Sequence, residues 1–158
     1  MVFIPDPMHV YRVSRRKHAN ALDGAGSRIN GGRWNNPGTA CIYTSQSRAL
    51  AILEYAVNVR LDDIPPDLVM ITLEVPDNEN NIFIPRQLPQ KWNSQITTQA
   101  SRDFGTALLK KAEHLIIKIP SVVIPEEYNY IINPRHPNMK KVLIADLSPF
   151  SFDARLKN

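Results

Sequence analysis

The chain has one cysteine, Cys41, in 158 residues. That excludes an internal disulfide and suits a reducing compartment. No apolar run approaches the roughly 20 residues of a membrane span, so no membrane association is expected. The opening residues, 1–7, lack the basic and long apolar regions of a signal peptide. Together these features predict a cytoplasmic protein. The usual catalytic signatures are missing as well: no GxGxxG, P-loop, HExxH or GxSxG occurs. The four histidines, His9, His18, His114 and His136, are far apart and make no metal-ligand spacing with the lone cysteine. There is no internal repeat and no low-complexity tract.

What is present is an ordinary globular composition, 43% hydrophobic and 22% charged, at a length that fits one domain with a sizeable core. The net charge is +4, but Lys and Arg are scattered. Their one short cluster is Arg12, Arg15, Arg16 and Lys17, thinner than the basic stripe that non-specific nucleic-acid binding requires. Thirteen prolines predict short elements and many loops. Strands are expected at 10–13, 40–44, 68–75, 115–119 and 141–147. A Gly-rich polar loop with at most a helical turn should occupy 19–36, and a proline-rich connection 78–92. Helices are expected at 45–60, capped by Ser45 or Ser47, and at 98–112. Strands outnumber helices in mixed order, which predicts an α+β fold.

Strand alternation at 40–44 puts Cys41 and Tyr43 on one face and Ala40, Ile42 and Thr44 on the other. Cys41 is then a core residue rather than a nucleophile. In the helix at 45–60, Ala49, Leu50, Ile52, Leu53, Ala56 and Val57 form one apolar arc, with Glu54 on its flank. A carboxylate there can lean over the edge of a core into a cleft.

The densest chemistry lies in Asn30-Gly31-Gly32-Arg33-Trp34-Asn35-Asn36-Pro37-Gly38. Arg33 offers a planar donor fork for phosphate or carboxylate, or alternatively for loop carbonyls. Tyr43 follows ten residues later and Glu54 eleven beyond that. Taken singly, Trp34 reads as a core anchor, Tyr43 as a packed strand aromatic, Glu54 as a solvated helix residue and Ser121 as a turn residue. Taken together, a cation, an aromatic ring and a carboxylate are the parts of a nucleotide site.

Tyr11-Arg12, Gly31-Gly32-Arg33-Trp34-Asn35-x-Pro37-Gly38, Tyr43-Thr44-Ser45 and Ala49-x-Ala51-x-x-Glu54 resemble the RES domain family. Pro120-Ser121, Asn129-Tyr130, Asn133-Pro134 and Phe152-Asp153-x-Arg155 extend the match. The motif-bearing region runs from about 11 to 155, within a single domain of 1–158. The resemblance implies a toxin of a bacterial type II toxin–antitoxin pair, with a fold like that of ADP-ribosyltransferase toxins. It implies an Xre-like helix-turn-helix antitoxin as partner, through which any DNA contact would be indirect. It also implies consumption of NAD by hydrolysis or phosphorolysis of the nicotinamide bond, with inorganic phosphate as co-substrate in the second case, or transfer of ADP-ribose to a protein. The motif carries over Glu54, Arg33 and Tyr43 as catalytic residues and Arg12, Arg33, Tyr43 and Ser121 as NAD-binding residues. Trp34 and Asn35 would shape the loop. No metal or other cofactor is expected, because nicotinamide on NAD is already a cationic leaving group.

Overall fold

A computed structural model describes residues 7–78 and 80–156; the opening segment read above for a signal peptide lies largely outside them. Seven strands form one sheet: β1 (Met8–Arg15), β2 (Ile42–Ser45), β3 (Leu68–Val75), β4 (Ile82–Phe83), β5 (Ile116–Pro120), β6 (Tyr128–Ile132) and β7 (Leu143–Pro149). Their order is β4-β5-β6-β2-β1-β3-β7. Every pairing is antiparallel except β4 with β5. Among the described residues three α-helices accompany the sheet: α1 (Ala25–Asn30), α2 (Arg48–Val57) and α3 (Gln99–Lys111). The fold is α+β, with a mixed sheet, as the element order predicts. Among the described residues no helix is long and apolar enough to cross a membrane.

Alternation along the strands divides the core in two. One cluster holds Val10, Ile42, Val69, Ile71, Leu73, Ile116, Tyr130 and Ile132. The other holds Cys41, Ile117, Ile119 and Ile131 with Trp34 and Leu109, and Tyr43 packs against it. Cys41 and Tyr43 thus share a face opposite Ile42, as period two requires. Cys41 is 1% exposed, a core residue.

The helices begin and end where local chemistry lets them. Thr98 caps α3 by accepting from the Ser101 N–H, and Ala112 closes it in a left-handed conformation. Lys110 and Lys111 lie in the last turn, where the helix dipole favours cations. Helix α2 is shorter than the sequence pattern suggests. Ser45 belongs to β2, paired with Asn129, so Ser47 is the cap and accepts from the Leu50 N–H at 3.1 Å. The apolar arc of α2 is also less buried than expected. Leu50 and Ala51 are buried, whereas Leu53 and Val57 are 37% and 62% exposed. Periodicity gives the arc but not how much of it the sheet covers. The connection at 78–92 contains the two-residue strand β4, too short to leave a pattern.

Helix α3 clamps the Gly-rich loop at one point. A Cβ on Gly105 would lie 1.9 Å from the Trp34 carbonyl oxygen, so helix and loop meet backbone to backbone. Trp34 stacks on Trp92 at 6.4 Å and meets Phe104 edge-on at 6.0 Å. Gly105→Ala would ordinarily gain helix propensity, about 1 kcal/mol. Here the clash with a backbone oxygen outweighs it, and a net loss of at least ~2 kcal/mol is expected from overpacking. Gly26 in α1 has open space around its Cβ position; Gly26→Ala should be neutral or stabilising. Urea unfolding of the two variants measures the contrast.

Candidate active site

Three neighbouring strands lay down the floor. Tyr43 and Ser45 lie on one face of β2, and across the ladder they meet Ile131 and Asn129 of β6. Strand β5 adds Ile117 beside Ile131 and Ile119 beside Asn129. Paired residues share a face, so these six side chains form one surface. Tyr43 and Ser45 stand about 7 Å apart along the strand. Ser121 follows directly after β5, held by its N–H on the Glu127 carbonyl at 2.8 Å.

Helix α2 brings Glu54 to the Ser45 end of this floor. Glu54 Oε1 accepts from Ser121 Oγ at 2.6 Å and from Asn129 Nδ2 at 2.7 Å. Ser121 Oγ itself accepts from the Val123 and Ile124 N–H groups at 3.0 and 3.1 Å. Its single proton is therefore directed at Glu54. Asn129 Oδ1 accepts from Ser45 Oγ at 2.8 Å, which turns the amide nitrogen toward the carboxylate. Both bonds fall on Oε1; Oε2 takes no bond from the described residues.

The Tyr43 end is a second hub. Tyr43 OH donates to Asn35 Oδ1 at 2.6 Å and accepts from the Trp34 N–H at 2.9 Å. Asn35 is fully buried, and its Nδ2 donates to the carbonyls of Ser27 and Thr39 at 2.8 and 2.9 Å. A Cβ on Gly32 would stand 2.7–2.9 Å from the Tyr43 phenol, so only glycine lets the loop lie on the ring. Gly31 has φ +70°, a conformation that also favours glycine.

Arg33 is tethered. Its Nη1 donates to the carbonyls of Trp92 and Ser94 at 2.9 and 2.7 Å, and Nη2 to that of Gln95 at 3.3 Å. Of the two readings open in the sequence, loop carbonyls are what the guanidinium holds here. Partial burial lowers its pKa, opposed by the charges of Glu54 and Tyr43. Arg33 therefore shares an electrostatic environment with both.

Arg12 stands apart from this group. Strand alternation sets it with Val10 and Ser14, beside Ile71 of β3. Burial lowers its pKa and the charge of Asp23 opposes that. Among the described residues it makes no side-chain hydrogen bond or ion pair. The structure thus brings Arg33, Tyr43, Glu54 and Ser121 together around one floor, and leaves Arg12 outside it: Tyr11 is the residue paired with Ser45, so Arg12 points to the opposite face of the sheet. Among the described residues β1 and β2 share that single rung.

Two site residues escape reasoning from spacing: Asn129 and Ser45. Both stand in motif blocks, but Asn129 lies 75 residues from Glu54 and 84 from Ser45. Only the register of β2 against β6 joins them.

The geometry can hold a carboxylate fixed at one oxygen and open at the other, about one floor-length from an aromatic ring. The RES domain family matches residues 9–153, nearly the whole of the chain just described. The chain belongs to the RES domain family. A relative from Sphingobium named Prs ADP-ribosylating toxin is 34% identical over 146 residues, covering 90% of this chain and 91% of that protein. A protein of Yersinia enterocolitica named Toxin Res is 33% identical over 153 residues, 95% of this chain and 100% of that protein. A Photorhabdus laumondii protein of the same name is 30% identical over 151 residues, 94% and 97% respectively. In three dimensions this RES domain resembles a chain of the M. tuberculosis MbcT–MbcA toxin–antitoxin complex. The TM-score is 0.69 at 18% identity, over 92% of this chain and 85% of that one, a shared fold.

The hub has a signature at high pH. Burial raises the Cys41 thiol to about 12 and pushes the Tyr43 phenol well above 10. In the unfolded chain both groups lose their protons at their ordinary values, near 9 and 10. The unfolded state then binds fewer protons than the folded one, so stability falls as pH rises. It should be fully present below about pH 9 and decline progressively above it. Cys41→Ala should flatten the first part of that decline, measured as urea midpoints between pH 8 and 11.

Proposed function

We propose that this RES domain is a toxin that cleaves the bond between nicotinamide and ribose in NAD. The observation that carries the reading is the half-tethered Glu54 carboxylate. When the glycosidic C–N bond breaks, its electron pair leaves with nicotinamide, which becomes neutral. Positive charge grows on the ribose. A carboxylate that is already fixed stabilises that charge without reorganising, so it acts more on the transition state than on the ground state. Glu54 Oε2 is the oxygen available for this, or for a ribose hydroxyl. Tyr43, which is only partly buried, offers a wall for the nicotinamide ring; Ile131 and Ile119 beneath it are fully buried core.

For the pyrophosphate, Arg33 is the cation on the Tyr43 side of the sheet; Arg12, which the motif also carries over, points with Val10 to the opposite face, near Asp23. Arg33 would have to exchange loop carbonyls for phosphate oxygens, an exchange favoured by the stronger charge-assisted bond. Ser121 acts through Glu54 rather than as a direct NAD contact. The ribosyl cation is then captured by water, which loses a proton to solvent, or by inorganic phosphate, whose oxygen forms the new bond.

A second reading has its own support. The name of the Sphingobium relative, ADP-ribosylating toxin, favours transfer of ADP-ribose to a protein by the same bond cleavage with a different nucleophile. In either reading the protein acts where NAD is abundant, in the cytoplasm, and is held inactive by an antitoxin. The toxin–antitoxin complex that shares the fold supports a protein partner; an Xre-like helix-turn-helix protein is the kind proposed.

The purified chain should release nicotinamide from NAD, followed by chromatography with and without phosphate. Glu54→Gln keeps the shape and removes the charge, and should lower kcat by about 10²–10³-fold. Intact NAD after prolonged incubation, in water, phosphate and cell extract alike, would contradict the reading. Label from tagged NAD on one cellular protein would decide for transfer.

A further inference from the structure

Glu54 is held by two donors of different kinds. Ser121 is locked by its own backbone, since its Oγ is bonded to two N–H groups of the following turn. Asn129 has no such local lock. Its amide could turn by 180° and present Oδ1 to Glu54, oxygen against oxygen. What prevents this is Ser45, whose hydroxyl donates to Oδ1 at 2.8 Å. Ser45 and Asn129 face each other in the β2–β6 ladder, and Ser45 is 4% exposed. Solvent therefore hardly competes for that hydroxyl.

The consequence for Glu54 is geometric. One donor on Oε1 fixes a distance but leaves the carboxylate free to swing about that contact. Two donors, from β6 and from the turn after β5, define a plane and leave Oε2 as the oxygen offered to a ligand. We infer that Asn129, oriented by Ser45, is a positioning residue for Glu54: it sets which carboxylate oxygen meets the ribose and holds it there. The inference rests on the NAD-cleaving reading and adds to it a relay, Ser45 to Asn129 to Glu54, that crosses from β2 to β6 to α2. Because the relay acts on the reacting geometry, its loss should appear in kcat and leave KM nearly unchanged. Misplacing a catalytic group by an ångström costs on the order of 10²-fold.

Nicotinamide release is followed for the native chain and for Asn129→Asp, Asn129→Ala and Ser45→Ala, each checked for folding by circular dichroism. Asn129→Asp is the informative change, because it places a second carboxyl against Glu54. Two carboxyls at that distance share a proton, and one titrates well above the ordinary range. The introduced carboxyl donates to Glu54 while it is protonated and repels Glu54 once ionised. The activity of this variant relative to native should therefore fall about 10-fold or more as pH rises from 5 to 8. Asn129→Ala should lower kcat about 10- to 100-fold at all pH values. Ser45→Ala should lower it by a smaller factor, again without a change in KM. An active native enzyme with an Asn129→Asp variant whose pH profile merely scales would overturn the relay and leave the NAD reading standing. So would a Ser45→Ala or Asn129→Ala effect confined to KM. A native protein that never releases nicotinamide would overturn both. If Asn129→Asp fails to fold, the kcat-against-KM split of Ser45→Ala decides alone.

Discussion

A single buried amide organises the front of this molecule. Asn35 has no contact with solvent, so each of its polar atoms must find a partner inside the protein. The amide nitrogen reaches back to Ser27 and forward to Thr39. The amide oxygen takes the Tyr43 hydroxyl. These bonds tie the end of α1, the Gly-rich loop and β2 into one unit. They fix Trp34 over the second core cluster and let α3 close on its backbone at Gly105. They also aim Arg33 at the 92–95 segment, whose carbonyls it collects. Removing one partner would leave the others buried and unsatisfied, about 1–3 kcal/mol for each group.

The opposite end of the floor uses the same physics for a different result. There a charged group is bonded on one side only. Ser121 and Asn129 hold Glu54 Oε1, and Oε2 is left open. At the Tyr43 hub the phenol oxygen donates one hydrogen bond and accepts another, both within the structure. At the Glu54 hub half of the carboxylate is available for chemistry. Tyr43 of the first hub and Ser45, which supports the second through Asn129, lie two positions apart on one face of β2, so the strand fixes the distance between the hubs. The half-exposed apolar arc of α2 lies beside this face: Leu53 and Val57 flank Glu54 and are incompletely covered. A cleft of about 290 Å³ lined by Ile64, Pro66, Phe152 and Ala154 contains none of the residues of either hub.

Much of this was legible in the sequence. Val69, Ile71 and Leu73 alternate with residues of similar burial in a strand whose bounds the β-branched run alone reveals. Thr98 and the lysine pair mark both ends of α3. Tyr43 and Cys41 share a face because period two leaves no other arrangement. The family motifs led to Arg33, Tyr43, Glu54 and Ser121, which the fold gathers around one floor. What stayed hidden depends on register and on tertiary coverage. Asn129 meets Glu54 only because β6 pairs with β2 at Ser45. Arg33 meets the 92–95 carbonyls only because α3 and the Trp34 stack draw that segment in. The exposure of Leu53 and Val57 follows from the limited reach of the sheet, which no helical periodicity encodes. Strand β4 is too brief for any pattern.

If NAD sits against Glu54 and Tyr43, amide ¹⁵N–¹H spectra of the Glu54→Gln protein, titrated with NAD, should show saturable shifts at Tyr43, Ser45, Asn129 and Ser121. Those of Leu143 and Ile144 on the far edge strand should stay unmoved. Shifts confined to the cleft around Pro66 and Phe152, or no shift at millimolar NAD, would contradict that placement.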